Sequence, residues 1–127
     1  MKFINNTLLL RLPMAAILIM HSIPTIMAGT VNAFGTEYLD KVGFAPFGLV
    51  LAWTIKLSHV VAAVCLILDK YVKWAALATI VVLVAGIIMI HGENGWFVIG
   101  SGRNGIEFSV LMIFVLVYLS FPRLLSR

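Results

Sequence analysis

Four apolar runs, each close to the length that crosses a bilayer, constrain this chain more than any other feature. They are Thr7–Ala28, Pro46–Leu68, Val72–Ile90 and Gly105–Phe121. Roughly 20 apolar residues at ~1.5 Å rise each cross a hydrocarbon core. The chain has 127 residues, of which 62% are hydrophobic and 11% charged. A soluble domain carries about a quarter charged residues, and so short a soluble chain could not hide this much apolar surface. The expectation is an all-α membrane protein: one domain, a bundle of four transmembrane helices. The fourth run is the shortest, roughly 25 Å by the same rise. It is expected to borrow a turn from the loop before it.

Charge sets direction. An even number of spans puts both termini on one side. That side holds Lys2, Arg11, Lys70, Lys73, Arg123 and Arg127, against Lys41 and Arg103 on the other. By the positive-inside rule both termini are cytoplasmic, which predicts an N-in/C-in membrane protein. The net charge of +4 then reads as topology, not as nucleic-acid binding. Val31-Asn32-Ala33 resembles a signal-peptide cleavage site. However, Arg11 and Pro13 interrupt the preceding apolar stretch, so a retained first span is expected. Between spans one and two, Gly29–Ala45 is too polar to cross. Phe34, Tyr38 and Val42 recur every four residues, as in an amphipathic helix on the outer interface. An irregular loop with aromatic anchors is the other reading, and both stay open.

Ionisable groups inside a membrane are costly and usually face the bundle interior. Arg11 lies about one turn into span one, from where it can snorkel to headgroups. Lys56 sits ~15 Å from the outer edge, near the midplane, where a long stem helps little. Lys56 and His59 share a helix face with Ala52 and Ala63, which points to a polar pocket or a buried ion pair, the other reading being an interhelical hydrogen bond that only holds the bundle. His21 precedes Pro24; the kink frees backbone carbonyls that His21 or Ser22 could satisfy. The depths of His59, ~20 Å, and of His21, ~10 Å, differ from that of His91 at the edge. This argues against haem held by two histidines, and no metal site has the required spacing. Cys65 stands alone, so neither a disulfide within the chain nor a Cys-x-x-Cys pair exists.

The block His91–Phe108 concentrates polarity at the outer edge. Much of it has structural work. His91 suits a helix C-terminus, and Gly92 fits the left-handed position past it. Trp96 and Phe97 suit the aromatic belt. Asn104 with Glu107 reads as a capping box. What remains is Glu107, with Arg103 four residues before it and His91 opposite. The candidate polar pocket is therefore His21, Lys56, His59, His91, Arg103 and Glu107.

Several of these residues carry a resemblance. Arg11 in Leu8-Leu9-Leu10-Arg11-Leu12, His21, Gly43-Phe44-Ala45-Pro46, Gly95-Trp96-Phe97 and Gly105-Ile106-Glu107 resemble the DoxX-like family of small four-span bacterial membrane proteins. The chain departs from it at Ser22, where glycine is usual. It departs again at Lys56 and His59, near which many relatives carry a glutamate, and at its basic end. The resemblance implies membrane redox work, as in a subunit of a thiosulfate:quinone oxidoreductase or a partner of oxidative-stress enzymes.

Three functions follow. The first is an accessory or anchor subunit of a membrane complex, redox and quinone-linked, with a protein partner or further copies of itself among the lipids. The second is a quinone- or small-molecule-binding oxidoreductase subunit, with quinone as the cofactor. The third is a small oligomeric transporter. The short loops leave little room for a catalytic domain, and whether the chain is itself an enzyme stays open. A lone Cys65 argues against direct thiol exchange.

Overall fold

The computed structural model describes residues 5–98 and 105–125. Every regular element among them is helical. Helix α1 is Leu8–Ala28, with Pro13 and Pro24 inside it, and it ends at Gly29 in the left-handed conformation, φ 73°. Helix α2, Thr30–Ala33, runs on into a wider-wound stretch, Phe34–Phe44, that breaks at Gly43, φ 117°. Helix α3 is Gly48–Leu68 and α4 is Val72–Gly86. Helical winding continues beyond α4 through a wide turn, Ile87–His91, and a tight one, Gly92–Asn94. Helix α5 is Glu107–Ser120, followed by the short α6, Pro122–Leu125.

Three of these helices are long and apolar enough to cross a membrane: Leu8–Ala28, Gly48–Leu68 and Val72–Asn94. Helix α5 is apolar but has 14 residues, about 21 Å at ~1.5 Å each. The expected extra turn is not added from Gly105 or Ile106, which are not helical. Residues 99–104 lie outside the described residues.

One core joins four helices. Leu18 of α1, Ala63 and Leu66 of α3, Ala76 of α4 and Leu116 of α5 are all at most 1% exposed. Alanines at the crossings let backbones approach closely. A second cluster, Val31, Leu39 and Ala52, packs the segment after α1 onto the start of α3. The segment 29–45 is thus mostly helical rather than an irregular loop. Its buried side is Val31, Gly35 and Leu39. Phe34 and Tyr38 stack beside that side at 5.6 Å, while Val42 is exposed. Trp53 Nε1 donates to Asn32 Oδ1, and Tyr38 Oη donates to the Met89 carbonyl.

Two sequence expectations need correction. Arg11 does not snorkel; it is fully buried. Its guanidinium donates to the Leu66 carbonyl at 2.6 Å and to Thr7 Oγ1 at 3.0 Å, and it pairs with Asp69 at 3.6 Å. The unsatisfied carbonyls and negative dipole end of α3 are a better destination for a cation than a long reach to headgroups. Gly92 is not the left-handed residue either. It stays right-handed because helical winding continues past it, and the chain reverses at Gly95, φ 78°.

Candidate functional site

A cavity of about 380 Å³ lies toward the His91 end of the bundle. Leu18 of α1 and Met112 of α5, both core residues, line it toward the Arg11 end. Val98 and Gly105, from the connection before α5, line it on the other side. His21, Lys56, His59 and His91 are on its wall together. Four separate positions in the sequence thus meet one space.

Local geometry explains each placement. Pro24 lacks an N–H and its ring crowds the Met20 carbonyl, which loses its helical partner. The sequence pointed to the side chains of His21 or Ser22 as donors to a carbonyl freed there. The side-chain donors on the two following carbonyls come from elsewhere. Lys56 Nζ donates to the His21 carbonyl at 2.9 Å, and Thr25 Oγ1 donates to the Ser22 carbonyl at 2.8 Å. Lys56 also sits 6.0 Å from the centre of the Phe34 ring, at the outer limit of a cation–π contact. Among the described residues no carboxylate lies within ion-pair distance of it.

His59 is one turn deeper on the same face of α3. It is 8% exposed, and its Nδ1 is buried with no hydrogen-bond partner. A buried polar nitrogen left unsatisfied costs about 1–3 kcal/mol, so this atom is the least settled point of the wall. His21 keeps an exposed surface, whereas His91 is half-buried at the end of the wide turn after α4.

The depth count from the sequence set the histidines at separate levels. The Lys56 stem reaches from one counted level to the next to bond the His21 carbonyl. A cavity that runs along the bundle then meets His59 and His91 at successive depths. Among the described residues no cluster of His, Cys, Asp and Glu could hold a metal ion.

Glu107 is not on this wall. Its Oε1 accepts the Val98 N–H at 2.6 Å, and its own N–H donates to the Trp96 carbonyl at 2.9 Å. It therefore fastens the 95–98 segment to the first turn of α5. It is the first residue of that helix rather than the third of a capping box, while Asn104 and Arg103 lie outside the described residues. The inward stripe of α5 is Ser109, Met112 and Leu116. Glu107 is about 200° around the helix from Ser109 and cannot share that face. Ser109, buried and on the cavity wall, was missed by sequence reasoning. Its i, i+3, i+7 spacing with two core residues was the available signal. Gly105 completes the arrangement. A Cβ there would meet the backbone of 95–97 at 2.6–2.7 Å, so only glycine fits this crossing.

Among the described residues the wall offers hydrogen-bond donors from lysine, histidine and Ser109, is otherwise mostly hydrocarbon, and holds no carboxylate. Such a space suits a compact ligand that accepts hydrogen bonds at its polar end. Its volume is at the small end of the ~300–1,000 Å³ typical of ligand pockets.

No curated protein and no solved structure matches the chain. The family model for DoxX matches residues 6–92. That range includes Arg11, His21, Lys56, His59 and His91, and it stops short of Glu107. Because the match spans well over half of the sequence, the chain belongs to the DoxX family.

Proposed function

We propose that the protein is a membrane subunit of a redox complex and takes a quinone headgroup into the histidine-lined cavity. The observation that carries this reading is the buried, unpartnered Nδ1 of His59 on the wall of a space otherwise largely apolar. A quinone ring is flat and apolar, with two carbonyl oxygens that accept hydrogen bonds. When bound it supplies two-electron, two-proton acceptor chemistry. His59 and Lys56 then serve as donors to those oxygens from one helix face. Lys56 has three N–H donors, of which one goes to His21. Leu18, Phe108 and Met112 exclude water from the ring. His21 and His91 line the way in from the exposed end of the cavity. With no catalytic domain in its loops, the subunit depends on a protein partner for electrons. The same reading makes α5 a fourth span, sets both termini in the cytoplasm of a bacterial inner membrane, and puts the cavity mouth outside.

The test is direct. The intact chain is purified in mild detergent and titrated with a short-chain ubiquinone analogue, following tryptophan fluorescence. Binding is expected, with an affinity loss of at least tenfold in His59→Phe, which keeps the bulk and removes the donor. A lipid extract free of quinone, together with no response to the analogue, overturns the proposal.

A further inference from the structure

A second concavity lies between α3 and α4, and it shares no residue with the histidine cavity. It measures about 690 Å³, and its walls include Thr54, Val61, Cys65, Tyr71, Trp74 and Ala78. Val61, Tyr71 and Trp74 are broadly exposed, so the groove faces the surroundings of the bundle. From Thr54 to Cys65 it follows eleven residue steps of α3, about 16 Å at ~1.5 Å per step. One leaflet of a hydrocarbon core is ~15 Å deep, half of ~30 Å. The groove therefore matches the reach of an acyl chain. A transmembrane helix of a partner would need twice that length.

The end of the groove at Tyr71 and Trp74 differs in chemistry from the rest. Aromatic side chains of this kind sit at headgroup level. Lys73 Nζ lies 5.5 Å from the Trp74 ring centre and 5.1 Å from that of Phe121, so an ammonium is held at the rim. Lys70 and Arg123 are exposed in the same region. The acid of the turn, Asp69, is already engaged by Arg11 and by Asn5 Nδ2. The rim is thus cationic, directly above a leaflet-deep apolar slot. We propose that this groove binds one anionic glycerophospholipid, with an acyl chain along α3 toward Thr54 and the phosphate at Lys73. Basic sites at helix ends attract anionic headgroups in this way. The proposal rests on insertion in a bilayer and not on the quinone reading.

The full chain in detergent is offered equal amounts of phosphatidylglycerol and phosphatidylcholine with matched acyl chains. Native mass spectrometry reads which lipid is retained. Phosphatidylglycerol is expected to dominate, and Lys73→Gln to lower that preference about fivefold, as for one charge near the surface. Ala78→Trp fills the slot without altering charge and is expected to lose both lipids. Cys65 gives a measurement that needs no variant: phosphatidylglycerol slows its alkylation by maleimide more than phosphatidylcholine does. Equal retention of the two lipids by the unaltered chain overturns the proposal. So does a preference unchanged in Lys73→Gln, or a dimer whose copies cross-link through Cys65.

Discussion

In the sequence Arg11 looks like a snorkelling charge and Glu107 like a site residue, and each is bound up in holding the fold. Arg11 ties the start of α1 to the end of α3 through the Leu66 carbonyl and Asp69. Replacing it with methionine keeps the volume, strands the Leu66 carbonyl and leaves Asp69 with Asn5 Nδ2 but no cation. Breaking a buried ion pair from one side is costly, and Asp69 keeps some exposure, 24%. Arg11→Met is therefore expected to lower stability by about 3 kcal/mol. Asp69→Asn is expected to cost about 1 kcal/mol, since Leu66 and Thr7 still accept from the guanidinium. Unfolding in mixed SDS micelles, followed by circular dichroism, measures both. Glu107 illustrates the same limit of sequence reading. Its polarity at the membrane edge was visible, but its partner is a backbone N–H nine residues earlier, which no side-chain pattern records.

At the scale of elements, the segment after α1 depends on two glycines. Gly35 and Gly48 meet where that segment crosses the first turn of α3. A Cβ at Gly48 would overlap the Gly35 carbonyl oxygen and the Asp40 carboxylate. Asp40 Oδ1 accepts the Gly48 N–H at 2.8 Å, which serves an orphan donor at the positive end of α3. Gly48→Ala is expected to destabilise the protein by about 2 kcal/mol through overpacking. Gly86→Ala is the contrasting case. Its Cβ meets only His91 Cδ2, at 3.8 Å, so a change within about 0.5 kcal/mol is expected. Thermal unfolding of the two variants in one detergent decides between them. The four-residue spacing of Phe34 and Tyr38 made a helix legible here. The buried side, Val31, Gly35 and Leu39, was harder to read, because its middle residue is glycine and carries no hydropathy signal.

For the whole molecule, three of the apolar runs read from the sequence correspond to long helices within a few residues. The stripe of Ala52, Lys56, His59 and Ala63 was legible because a helical face repeats every three to four positions. The meeting of His21 with Lys56 was not. It depends on how deeply α1 is set against α3, which depends in turn on Pro24 and the Arg11 contacts. Orientation is a property of the assembled chain and is tested as one. With Cys65 replaced by serine, a single cysteine introduced at Lys41 is expected to react with an impermeant maleimide added to intact cells. One introduced at Lys70 is expected to react only after lysis. The reverse pattern inverts the topology proposed above.

Taken as the fourth span of the proposed reading, α5 has a brevity that reaches beyond the protein. A helix of 14 residues falls ~9 Å short of an average hydrocarbon core of ~30 Å. At fractions of a kcal/mol per Å, accommodating it deforms the surrounding lipid at a total cost of order a few kcal/mol. Facing α1 and α3, each of 21 residues, the bilayer keeps its full thickness. Around α5, on the four-span reading proposed above, it pinches. A protein inserted in that way carries a lopsided collar of lipid, and a neighbour with an equally short flank would relieve the deformation by docking there.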